Sequence, residues 1–443
     1  FAFEARIMEY EAYYTSLWDQ IQRPTEDERS YDEIHTKLTQ FSAAIGSSNN
    51  AKGITREQWI DSLAVAASYA APGFEWANSE NKALADRWIA EILTHLDIDT
   101  SDATLTPEIF QTICTKRVKP YFGSRSGGSQ TSQQSYVLMN SGIGGGSKSL
   151  FSNSDRWRKQ PQCIATFTWA LHRVKDKDIA GSISYILPVI LALVEDYESQ
   201  AKVWGLRAAL ILLDRGDDEF LRKSGIASVV EKSTRDCLVF TSELGFGAEL
   251  LKLGFGCAIR LAKLMYLQRD DAKYTAHWWK LTERVVADNM YIMDNVAANS
   301  ALCEQIAPMC EALGPAIARY LRPLVGILTR NLQSPIYLSP PICQLHLVAM
   351  KQLEALISAC PQRASLYSAE IVGALAFSWS GTHHKQSSGM SNIAQAQELV
   401  LSVLRQLIQI SPDDVNTAVT RLYDARPGTF SEWKEMVPSS KHP

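Results

Sequence analysis

The sequence predicts an all-α protein: an α-solenoid of HEAT- or armadillo-like helical repeats behind an N-terminal helical block. Three observations lead there. Apolar residues recur at helical spacing along most of the chain. The apolar faces come in pairs at a near-constant interval. No sustained run alternates apolar and polar residues between Asn-Gly or Asp-Gly turns, as hairpin strands would.

The faces can be read in order. Ile183, Ile186, Leu187, Ile190 and Val194 share one side of a helix. After a polar break, EDYESQ, the pattern returns in Val203, Leu206, Leu210 and Leu213. It returns again in Ile317, Tyr320, Leu321, Leu324 and Leu328, then in Leu345, Val348, Ala349, Leu353 and Leu356. Val400, Val403, Leu404, Leu407 and, more loosely, Ile410 form the last face. Helix pairs start near 183, 226, 280, 316 and 367, a mean spacing of about 46 residues, within the ~40–47 of HEAT and armadillo units. One such pair cannot bury its own apolar side, so stacking on its neighbour has to supply the core. Pro188 inside its helix removes a backbone hydrogen bond and bends it.

The chain divides into four parts: a helical block (1–119), a Gly/Ser-rich linker or insertion (120–160), the repeat array (161–424) and a tail (425–443) docked through Phe430 and Trp433. The linker is set apart by composition, with 7 glycines and 10 serines in its 41 residues.

Bulk properties narrow the function. The 443 residues are 46% hydrophobic and 21% charged, enough apolar material for a sizeable core. The net charge of −4 removes the simplest argument for nucleic acid binding, a strongly basic domain. No window approaches the ~18 uninterrupted apolar residues of a spanning helix, so no membrane role is expected. The opening FAFEARIMEYEAYY lacks the basic flank and apolar block of a signal peptide. The eight cysteines form no CxxC pair and sit mostly in apolar periodic segments. They read as buried free thiols of a reducing compartment, which places the protein in cytoplasm and nucleus.

Motifs with chemical potential have plainer readings. GIGGGSKS at 142–149 lacks the final glycine and the flanking strand of a phosphate loop. GFGAELLKLGFG at 245–256 suits close helix packing, since no βαβ unit surrounds it. His383 and His384 lack a spaced third ligand. Cys303 and Cys310 are core thiols on one helical face. The acidic run Asp214, Asp217, Asp218 and Glu219 reads as a turn and a helix start. No catalytic, cofactor or metal residue is expected, and no enzyme.

Two basic clusters flank the linker: Lys116, Arg117 and Lys119, and then Arg156, Arg158 and Lys159 around Trp157. A solvated linker edge, an acidic protein partner and, last, nucleic acid are all open to them.

The central segment resembles a known family. Pro188 stands in an apolar helix that runs into Glu195, Asp196, Tyr197 and Glu198. Lys202 and Gly205 follow, then a turn at Gly225 and a helix ending in Cys237 and Leu238. Farther on comes MCEALGPAIARYLRPLVGILTRNL at 309–332. Over roughly 155–360 this resembles the Tel-two interacting protein two family, a subunit of the Triple T co-chaperone complex. The first 119 residues match no pattern. The resemblance implies a non-enzymatic scaffold whose partners are the complex's larger helical-repeat subunits. Through them it would serve the ninety-kilodalton heat-shock chaperone and its clients, the phosphatidylinositol-3-kinase-related kinases. Another protein- or nucleic-acid-binding solenoid, such as a transport adaptor, is the alternative. Glu195, Asp196 and Glu198, expected at the carboxyl end of their helix, are partner-binding candidates with Lys202, Arg156, Arg158 and Lys159. Acids at that end of a dipole need a compensating cation, from Lys202, Arg207 or a partner.

Overall fold

The structure is a computed structural model, and it describes residues 55–74, 76–99, 104–122, 157–158, 160–238, 246–266, 272–292, 294–334, 339–383 and 391–437. The phosphate-loop-like GIGGGSKS, His384 and nearly all of the 120–160 segment lie outside these residues. Of the described residues 87% are helical, and none forms a strand. The nearest approach is one isolated bridge, where Leu105 N donates to the Arg173 carbonyl at 2.8 Å. The all-α expectation holds. The chain forms two compact units, residues 1–193 with 207–221, and residues 194–206 with 222–443.

In the first unit α1 (Arg56–Ala70) opens on a capping box. Gln58 N donates to Thr55 Oγ1 at 3.3 Å, and Thr55 N donates back to Gln58 Oε1 at 2.9 Å. Around α1 pack α2 (Ser79–His95), α3 (Pro107–Ile113) and α5 (Gln162–Leu171). A π-helical turn (Cys114–Val118) leads from α3 into α4 (Lys119–Phe122). Neighbours on several sides bury α1 almost all round, which suits its alanines at 64, 66, 67 and 70.

Next come α6 (Asp176–Val194), α7 (Ser199–Arg215) and α8 (Asp218–Lys223). In α6 the buried side runs through Ile179, Ser182, Ile186, Val189, Ile190 and Leu193, while Ile183 and Leu187 are half-buried and Pro188 is exposed. Of the five predicted residues Ile186, Ile190 and Val194 are buried, and the face is rotated part of a residue toward Val189 and Leu193. Val189 and Leu193 fit it no worse than Ile183 and Leu187 in so apolar a sequence, so the pattern could not choose. One expectation needs correcting. By length and composition α6 is apolar enough to cross a membrane. Its scattered serines interrupt an apolar run without lowering the average much.

The second unit holds α9 (Ile226–Thr234), a 3-10 turn (Arg235–Leu238), α10 (Gly247–Met265), α11 (Ala272–Ile292), α12 (Val296–Cys303) and α13 (Ile306–Leu313). A second 3-10 stretch (Gly314–Tyr320) precedes α14 (Leu321–Leu332) and α15 (Pro340–Ala359). After the short α16 (Pro361–Ala364) come α17 (Ser368–His383), α18 (Ser391–Ile410), α19 (Pro412–Ala425) and α20 (Pro427–Met436). Within this unit α10 packs on α12, α12 on α15 and α15 on α18. Likewise α11 packs on α14, α14 on α17 and α17 on α19. The cross-contacts α11–α12, α14–α15 and α17–α18 join the two series. The predicted faces Ile317–Leu328, Leu345–Leu356 and Val400–Leu407 supply much of the shared core, Tyr320 and Ile410 being only half-buried. The last helix, α20, buries Phe430 and Trp433, whose ring lies 5.7 Å from that of Trp379.

His346 of α15 is fully buried between these series. Its Nε2 lies 2.9 Å from the Ser334 carbonyl, so Nε2 carries the proton and donates. Nδ1, 2.9 Å from Ser378 Oγ, then accepts. Burial pushes its pKa down to about 4. The folded chain thus refuses a proton that the unfolded chain accepts at about 6.5. Stability is complete above the unfolded value and is lost as the pH falls from there toward the folded one. Between pH 7.5 and pH 5 this one group should cost about 2 kcal/mol. Urea unfolding at the two pH values should show that much less loss in His346→Gln than in the unaltered chain.

Candidate partner-binding site

Glu195, Asp196 and Glu198 follow directly on the carboxyl end of α6 at Val194, as the sequence suggested. They form the turn after it. Asp196 Oδ1 accepts the Glu198 N–H at 2.8 Å, an Asx turn that diverts the chain from the helix. The Glu198 carbonyl then accepts Lys202 N at 3.1 Å and opens α7. The carboxylates precede a helix amino terminus, where the dipole favours them. Glu195, next to Val194, stays beside the carboxyl end of α6, where the Ser233 hydroxyl meets it.

Residues 194–206 belong to the second unit, and α9 and its 3-10 turn pack beside them. Ser233 Oγ donates to Glu195 Oε1 at 2.7 Å. The Cys237 thiol points to the Val194 carbonyl at 3.6 Å. Burial pushes that thiol up to about 11, with the Lys202 ammonium pulling it down and the Asp236 carboxylate pushing it up. Cys257 of α10 reaches the Leu206 carbonyl at 3.6 Å. A Cβ on Gly254 would stand 3.2 Å from the Cys237 carbonyl oxygen, so the glycine-rich stretch of α10 serves close helix packing. Gly225 enters α9 at φ +77, a backbone that disfavours any side chain. These residues of the motif thus form one packed corner with an anionic turn on its surface. Arg207 belongs to the first unit, where its Nη1 donates to the Gly73 carbonyl at 3.0 Å.

Tyr197, flanked by those acids, is 75% exposed. Reading the sequence put it in the motif but not among the binding residues. The available signal was a large ring set among polar residues of the sequence, Glu195, Asp196, Glu198 and Ser199. Exposed tyrosine beside carboxylates suits a polypeptide partner carrying basic side chains.

The basic candidates fare differently. Arg156 and Lys159 lie outside the described residues. Arg158 is half-buried over the Trp157 ring at 4.8 Å, and that ring stacks on Phe122 at 6.2 Å. In the other cluster Lys116 and Arg117 each reach a carboxylate of α1 at 2.8 Å, Glu57 and Asp61 respectively. Arg158, Lys116 and Arg117 are thus engaged within the first unit.

The remaining motifs follow their plainer readings. Asp217 Oδ1 caps α8 by accepting Phe220 N at 2.7 Å. All eight cysteines are free and buried, as expected. Burial raises the thiol pKa of Cys114, Cys163, Cys237, Cys303, Cys310, Cys343 and Cys360, which opposes thiolate chemistry. Cys257 is likewise fully buried. Among the described residues no three His, Cys, Asp or Glu side chains gather to hold a metal ion.

A comparison with curated proteins finds no match. A family comparison does, and its match starts well before the resemblance read from the sequence, taking in most of α1 and all of α2 and α3. The N-terminal block, which had matched no pattern, is part of the family's fold from residue 62. With residues 62–339, well over half its length, matching the model of the Tti2 family, the chain belongs to the Tti2 family.

Proposed function

We propose that this chain is a non-enzymatic scaffold subunit of the Triple T co-chaperone complex. The observation that carries the reading is the family match over residues 62–339, which contains the exposed Glu195–Glu198 turn. In this reading the helices of the second unit are HEAT-like pairs in a solenoid, a form that offers a long surface for its mass. The surface holds the larger helical-repeat subunits. Through them the chain supports folding and assembly of phosphatidylinositol-3-kinase-related kinases with the ninety-kilodalton heat-shock chaperone, in cytoplasm and nucleus. The kinases link it to DNA-damage signalling and telomere maintenance.

The turn gives the reading its test. Co-expressed with its larger companions, the full chain should co-elute with them. The variant Glu195→Lys/Tyr197→Ala/Glu198→Lys should bind them on the order of tenfold more weakly, the loss expected of a central aromatic and its charges. Unchanged helicity would show that the fold survives. Absence of co-elution by the unaltered chain would overturn the assembly reading. Equal binding by the variant would remove the turn from the interface.

A further inference from the structure

We propose that the outward side of α14 and α17 is a docking surface for an acidic amphipathic helical segment of another polypeptide. Leu366, just before α17, is 73% exposed, and Phe377 within it is 48% exposed. Their separation is about three helical turns, so both stand on one side of the helix. Gly373 lies between them on that side, and a Cβ there would meet nothing within 4 Å. Two apolar knobs thus flank a notch. The neighbouring α14 carries Gly326, where a Cβ would also meet nothing within 4 Å. Thr329 Oγ1 donates to Glu370 Oε1 at 3.1 Å and ties the two helices together.

The charges around this surface select its occupant. Between Glu311 and Glu398 the chain has only two acids, Glu354 and Glu370, against six lysines and arginines. That is a basic stretch in a chain of net charge −4. Arg319, Arg322 and Arg363 are exposed, and the Arg319 guanidinium lies over the Trp279 ring at 4.6 Å. Glu370, exposed and hydrogen-bonded by Thr329, leaves one negative charge among these cations. Apolar knobs with a cationic rim fit a helix that presents apolar side chains at i and i+3 or i+4 between carboxylates. A phosphate backbone would use the rim but not Leu366 or Phe377. The α17 ridge lies beyond the family-matched residues 62–339, so the family pattern does not account for it.

The test reads what touches the ridge. The full chain carrying Leu366→benzoylphenylalanine, and separately Phe377→benzoylphenylalanine, is expressed with its native partners and irradiated. Adducts are purified under denaturing conditions and sequenced. Both positions should capture the same segment of another polypeptide, net negative and apolar at helical spacing. Adding Arg319→Glu, Arg322→Glu and Arg363→Glu should lower the yield roughly fivefold with helicity unchanged. Adducts only with a second copy of this chain, no adduct at all, a net basic segment, or a yield indifferent to charge reversal would each overturn the proposal. Co-elution through the Glu195–Glu198 turn is a separate readout, so either reading can fail alone.

Discussion

Asn299→Leu is expected to destabilise the second unit by about 4 kcal/mol. The substitution keeps the branched shape and the number of heavy atoms and removes no volume, so the cost does not come from a cavity. It comes from a relay of three buried amides on α11, α12 and α14. Asn289 Nδ2 donates to Asn299 Oδ1 at 2.9 Å, and Asn299 Nδ2 donates to Asn331 Oδ1 at 2.9 Å. Asn331 Nδ2 returns to Asn299 Oδ1 at 3.2 Å and also reaches Cys303 Sγ at 3.3 Å. The middle member serves both others, and no member is more than 5% exposed. Its removal strands two amides away from water, at about 1–3 kcal/mol each. Urea unfolding followed by circular dichroism measures the loss. The triple variant Asn289→Leu/Asn299→Leu/Asn331→Leu should be more stable than the single one, because no amide is then left unpaired. A single-variant cost below about 1 kcal/mol would mean that water reaches the amides and the relay does not hold the helices.

This relay also shows where the sequence stops being legible. Leu321, Leu324 and Leu328 announced α14 because one side of that helix faces the core while Arg322, Pro323 and Arg330 face water. An asparagine at a helical position carries no such signal. Asn289, Asn299 and Asn331 stand on three different helices, and only their packing makes them one group. The same reasoning explains α1, whose burial on several sides erases the contrast between faces. At the candidate site the polar break EDYESQ marked both the acids and the end of α6, but not the bond that turns the chain there. The apolar period of α6 ran into Glu195 without a glycine or proline to stop it, and the Asp196 side chain does the stopping. Arg158 read as a free cation because its stacking on Trp157 depends on a ring buried by Phe122, a contact outside the reach of local spacing.

Arg215→Ala should cost the first unit about 3 kcal/mol, through the loss of a helix cap built from a distant element. The α5 helix ends with carbonyls that have no partner inside the helix. Arg215, at the end of α7, covers them. Its Nη1 donates to the carbonyls of Leu171 at 3.0 Å and His172 at 2.6 Å, and Nη2 donates to that of Val174. Nε and Nη2 also bind Asp176 Oδ1 at 2.9 and 2.8 Å, holding the guanidinium plane in place. The part-buried side chain makes bonds in several directions, and a lysine ammonium cannot span them. Arg215→Lys should therefore recover less than half of the loss. Hydrogen exchange at the amides of α5 should accelerate most in Arg215→Ala, while the amides of α15 keep their protection. His172 supplies a readout specific to the charge. Its pKa lies below the usual histidine value, first through burial and then through the positive charges of Arg215 and Arg173. Removing one of those charges should move its titration upward, observable by NMR. If α5 stayed protected and His172 titrated where it did before, Arg215 would be neither the cap nor the charge that the geometry makes it.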